Sequence, residues 1–172
     1  AKAQTVTSWS VADPKTGDGA GILIQMPHEF FKKVCGIHRI NLPDAGEYGT
    51  GMVFLPTGQE EKRFCKDIFK KVIQENGQTI LGWREIPVNS SSIGKTARDT
   101  QPAIEQVFIG KGKGDPSAYQ PQDKENSSNF LGFERKLYVI RKQVENTIQG
   151  SSLKQKSYFY ITNISSRTFS YK

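Results

Sequence analysis

Short strand-forming runs that read apolar on both faces alternate along this chain with helical stretches that are apolar on one side only, which restricts it to a layered fold. SYFYITNIS, at 157–165, is the clearest of the runs and needs a layer above and below it. Strands are expected at 21–26, 51–55, 79–83, 103–109, 158–164 and 167–171, most of them bounded by turn residues.

The firmest helix spans 60–75, with Phe64, Cys65, Ile68, Phe69, Val72 and Ile73 on one stripe. Thr57 and Glu60 have the spacing of a capping box at its start, and Asn76-Gly77 supplies a left-handed stop. A second helix, 133–148, sets Phe133, Leu137, Ile140, Val144 and Ile148 on one side and Arg135, Lys136 and Lys142 towards water. A third and shorter one, 27–34, begins on a proline in the permitted first turn. Between 111 and 132, Gly, Pro, Ser and charges exclude a packed core, and a long surface loop is expected there. The fold class is therefore α+β, with sheets inside and helices outside, in a chain whose 35% apolar content suffices for one core.

Several function classes are excluded or weakened. No apolar run approaches the roughly 18 residues that cross a bilayer, and no secretion signal opens the sequence, so a soluble, cytoplasmic protein without a membrane partner is expected. Two cysteines without C-x-x-C spacing indicate neither a disulfide framework nor a metal site. The net charge of +7 is spread from Lys2 to Lys172 rather than gathered on one element, which speaks against a nucleic-acid partner.

Four local patterns have bland readings. NSSSIGKT, 89–96, matches a phosphate loop except that Asn89 replaces the first glycine, and Pro102 would cut short the helix that should follow. It reads as a capped turn and short helix. GDGAG, 17–21, stands before a strand rather than after one, the reverse of a dinucleotide fingerprint, and reads as a tight turn that allows close packing. His28 and His38 have no metal or triad partner at a meaningful spacing. Cys65 falls in an apolar stripe and Cys35 at the end of a short helix, where the dipole disfavours a thiolate.

Five blocks in order, TGDGAGILIQMPHEFF (16–31), LPDAGEYGTGMVFLP (42–56), LGWREIPVNSSSIGKTARDTQPAIEQVFIG (81–110), FERKLYVIRK (133–142) and SYFYITNISSRTFSYK (157–172), together resemble the amino-terminal glutaminase domain of glutamate synthases. LGWREIPVN followed by QPAIEQVFI is the most specific part. The resemblance implies a class-II amidotransferase with a four-layer αββα N-terminal-nucleophile hydrolase-like sandwich, here incomplete, the whole of 1–172 being part of that one domain. It implies L-glutamine as substrate, attacked by a cysteine thiol whose own α-amino group is the base, and the remaining domains of the same polypeptide as partners. It also implies that the parent uses FMN, an iron–sulfur cluster and NAD(P)H or ferredoxin to place the ammonia on 2-oxoglutarate, with no cofactor or metal in this segment.

By the same resemblance Gly17, Asp18, Gly19 and Gly21 lie near the glutamine pocket, whereas Trp83, Arg84, Glu85 and Pro87 more simply fix the packing of a strand and its turn. The family's cysteine start and H-R-G segment have no counterpart here, the latter aligning with Val6, Thr7 and Ser8. No catalytic residue is therefore expected in the chain, which alone should be inactive and marginally stable. The rival expectation is a non-catalytic structural or interaction module derived from that domain.

Overall fold

The computed structural model describes residues 21–112 and 127–171. Their elements run β1 (Ile22–Gln25), α1 (His28–Ile37), β2 (Tyr48–Leu55), α2 (Gln59–Glu75), β3 (Thr79–Glu85), α3 (Lys95–Asp99), β4 (Ala103–Gly110), α4 (Ser127–Gln149), β5 (Tyr160–Ile161) and β6 (Thr168–Tyr171). A single 3-10 turn, Lys156–Tyr158, precedes β5. Pro87–Gln101 belong to a smaller compact unit, and the rest of the described chain to a larger one.

All strand pairs among the described residues are antiparallel, in a four-stranded sheet ordered β3-β4-β2-β5 and a two-stranded sheet β1-β6. β2 and β4 form the spine, paired from Tyr48↔Gly110 to Leu55↔Ala103. Because side chains alternate along a strand, this pair serves two cores. Val53, Leu55, Val107 and Ile109 meet Phe69 and Ile73 of α2 and Leu137, Ile140 and Val144 of α4. On the opposite face Tyr48 and Phe108 meet Phe31 and Cys35 of α1, with Phe169 of β6 against them.

The five apolar residues expected on one side of α4 are all buried. On α2 the buried arc is Cys65, Phe69, Val72 and Ile73, at spacings of four and three residues, and Phe64 is left at its flank, 40% exposed. The end of α2 is as expected. Gly77 takes φ 72°, its N–H reaches Gln74 O at 2.9 Å and Gln78 N–H reaches Ile73 O at 3.0 Å, which satisfies the last carbonyls.

Five expectations need correction. The capping box does not form: Gly58, not Thr57, caps α2, so Glu60 comes one position too early to reach back, and Glu60 and Glu61 act through the helix dipole instead. Pro27 is the N-cap of α1 rather than its first residue, and the helix runs past Val34 to Ile37 because Phe31 and Cys35, four apart, are both drawn into the second core. β2 begins three residues earlier than expected, adding Tyr48, Gly49 and Thr50.

The long strand expected at 158–164 is reduced to Tyr160–Ile161, followed by an isolated bridge between Ser165 and Thr50. Between them the carbonyl of Asn163 arches over Gly51, while Ile164 turns into the first core. Finally, α4 starts at Ser127, so 127–132 are helix rather than loop. A polar composition excludes a core but not a helix whose apolar stripe lies further on. Of the rest of that expected loop, Lys111 N–H donates to Glu47 O and Gly112 N–H to Gln78 Oε1, and 113–126 lies outside the described residues.

Candidate functional site

Of the residues expected near a pocket, Gly17, Asp18 and Gly19 lie outside the described residues. Gly21 stands exposed immediately before β1. β1 pairs with β6 from Ile22↔Tyr171 to Gln25↔Thr168, and Met26 N–H extends the ladder to Arg167 O at 2.7 Å. Its apolar side chains are open on both faces: Ile22 is 53% and Leu23 68% exposed.

The two thiols have no access to a substrate. Cys35 is fully buried beneath α1, and burial pushes its pKa up to about 11 against the pull of nearby Arg84. Cys65 is fully buried under α2, and burial, then Glu61, raises it likewise to about 11. At neutral pH both are protonated, and neither belongs to a cluster of three metal-ligating side chains among the described residues. His28 has a partner that the sequence did not reveal: its Nδ1 lies 3.2 Å from the Tyr48 hydroxyl, which burial, then Cys35 and Glu29, raises to about 12. This pair closes the rim of the second core.

Residues 89–99 do not have the geometry of a phosphate loop. Lys95, which would have to reach a phosphate, pairs with Asp99 at 2.8 Å, and the helix it begins is five residues long. Asn89 accepts from Ser91 N–H at 3.0 Å, the signature of an Asx turn. The turn and short helix that the sequence suggested are both present, although Gly94 at the helix start gives no side-chain cap.

Trp83 and Arg84 have packing partners on the two faces of β3. Trp83 stands edge-on to Phe69 with its centroid 5.0 Å away, and the Lys66 ammonium lies 5.2 Å above its ring. Arg84 donates to Gln106 Oε1 at 3.1 Å, Gln106 donates to Thr50 Oγ1 at 3.1 Å, and Thr50 donates to Val107 O at 2.8 Å. This chain of hydrogen bonds crosses three strands with Thr50 and Gln106 fully buried, while Nε of Arg84 is buried without a partner among the described residues. Glu105, 5% exposed, is held from α2 by Lys66 at 2.6 Å and Lys62 at 3.8 Å. Neither arrangement was read from the sequence, although Glu105-Gln106, polar neighbours inside an apolar strand, was the available signal.

Between α2 and β3 runs a groove of 440 Å³, lined among others by Lys66, Lys70, Ile80 and Trp83. None of its lining residues belongs to the expected pocket.

Residues 8–172 match the class-II glutamine amidotransferases. The chain is 43% identical over 161 residues to the glutamate synthase [NADPH] large chain of Bacillus subtilis, covering 94% of this chain and 9% of that protein. It is 38% identical over 165 residues to the corresponding large chain of Azospirillum brasilense, covering 94% and 10%. To the ferredoxin-dependent glutamate synthase 1, chloroplastic/mitochondrial, of Arabidopsis thaliana it is 33% identical over 161 residues, covering 94% and 9%. The chain thus spans about a tenth of the length of these relatives.

Proposed function

Because this chain belongs to the class-II glutamine amidotransferases, we propose that it is part of the glutaminase domain of a glutamate synthase, in which it builds the scaffold of the glutamine pocket. The observation that carries this reading is likeness along 94% of the chain to glutamate synthases with different electron donors. In that reading the larger polypeptide hydrolyses L-glutamine and transfers the ammonia to 2-oxoglutarate, in the cytoplasm. Gly17, Asp18, Gly19 and Gly21 border the bound glutamine.

The division of labour follows from burial. The reaction needs an accessible thiol beside a free amine, and Cys35 and Cys65, the sole cysteines, are both sealed in cores. The nucleophile therefore comes from another part of the polypeptide. An iron–sulfur cluster takes four cysteine ligands, whereas these two thiols serve separate cores, so the cluster belongs elsewhere, and in the same reading FMN and NAD(P)H or ferredoxin are held by other parts of the polypeptide. The β1-β6 pair is the beginning of the second inner sheet of a four-layer αββα domain. Its support is β1 itself, whose open apolar faces ask for a layer on each side.

The test uses this chain and the longer polypeptide that contains it. Glutamine-dependent ammonia release is expected from the longer polypeptide and not from residues 1–172 alone. Release by the short chain that persists after Cys35→Ala and Cys65→Ala would overturn the assignment of the nucleophile, and a longer polypeptide unable to hydrolyse glutamine would overturn the function.

A further inference from the structure

We propose that Glu134 is a positioning residue, whose carboxylate sets the corner through which the chain leaves the four-stranded sheet and enters β6, and thereby fixes β1 and Gly21. Ser165 is the last residue bound to the four-stranded sheet, exchanging backbone bonds with Thr50 at 3.0 and 3.2 Å. β6 begins three residues later, so 166–168 must turn with their amide hydrogens satisfied by something other than the four-stranded sheet.

Side chains supply those acceptors. Ser166 N–H donates to Glu134 Oε1 at 2.6 Å, while Arg167 N–H and Thr168 N–H both donate to Ser165 Oγ, at 3.0 and 3.2 Å. A hydroxyl has one hydrogen and two lone pairs, so Ser165 Oγ accepts from both amides only if its own hydrogen points away from them. Glu134 Oε2 takes that hydrogen at 3.0 Å, and Glu134 Oε1 also takes the Ser166 hydroxyl at 2.5 Å. One carboxylate on α4 thus orients the entire corner, through charge-assisted bonds in a place where Ser165 and Ser166 are 7% and 4% exposed. The corner passes its geometry on to both strands of the small sheet: Arg167 O receives Met26 N–H, and Thr168 sets the register of β6 on Gln25 and so of β1 up to Gly21.

A role in the glutamine pocket rests on the proposed place of Gly21 beside the bound glutamine; the corner itself does not. Hydrogen exchange on this chain separates the two. In Glu134→Ala the amides of β1 and β6 are expected to lose about tenfold or more of their protection while those of β2 and β4 keep theirs, since bonds to a charged acceptor are lost at one place only. Glu134→Gln, with one acceptor oxygen in place of two, should give an intermediate loss and covers the case in which the alanine variant fails to fold. Arg135→Ala, on the exposed side of the same turn, should change neither sheet.

In the longer polypeptide Glu134→Gln should raise KM for glutamine with kcat little altered. Protection lost equally from both sheets, or from neither, would overturn the proposal. Loss confined to β1 and β6 with an unchanged KM would uphold the corner and remove Gly21 from the pocket.

Discussion

Cys35 and Cys65 show how far a single residue can be understood before its neighbours are known. The apolar stripe of α2 placed Cys65 in a core correctly, because its neighbours at i+4 and i+7 are apolar too. Cys35 was assigned to the end of a short helix, and its inertness to an unfavourable dipole. It is inert because the helix continues and buries it against Tyr48 and Phe108. In the native chain neither thiol should react with an aromatic disulfide reagent near neutral pH, and both should react once urea unfolds it; prompt labelling of either would contradict the burial.

A pH dependence arises from the same shifts. Both thiols have folded pKa values raised from 9.0 to about 11, so the folded state holds these protons more tightly than the unfolded one. Their contribution to stability is complete below the unfolded pKa and is lost as pH climbs through the folded value. The urea midpoint is expected to fall between pH 9.0 and about 11, whereas a midpoint flat across that window would contradict these shifts.

At the scale of elements, β2 is the instructive case. Its expected range, 51–55, left out Gly49 and took in Gly51, and a glycine within a strand often marks a close approach. In the fold both glycines are sites of close approach, Gly49 to the side chain of Leu137 and Gly51 to the backbone carbonyl of Asn163. The difference decides what substitution does. A leucine side chain can move aside and a carbonyl in a fixed arch cannot, so Gly51→Ala should cost about 1–3 kcal/mol of overpacking and Gly49→Ala clearly less. Urea denaturation of the two variants measures this, and equal losses would mean that the arch over Gly51 yields. The same arch explains why a long apolar run became a two-residue strand. Ile164 is buried in the first core instead of continuing in line with β5, and the carbonyl of its neighbour Asn163 lies over Gly51 of β2.

For the whole molecule the notable feature is β1, an apolar strand exposed on both faces. Ile22, Leu23 and Ile24 stay largely open although they have the composition of a strand enclosed on both sides. The isolated chain should therefore bind an apolar fluorescent dye and self-associate with rising concentration, and Leu23→Lys should weaken both effects. A monomer that ignores the dye at all concentrations would show that this face needs no partner layer.

Local periodicity determined the class of the fold, the extent of α2, the buried face of α4 and the presence of six strands, since burial of an amphipathic face repeats every few residues and is written into neighbouring positions. Order among the blocks, rather than any single motif, revealed the family. Only the tertiary structure decided which glycines are contacts, that Glu105 and Gln106 have partners on α2, β2 and β3, and that Glu134 governs a corner more than thirty residues away. Those interactions depend on which elements lie side by side, and sequence separation carries no record of distance in space.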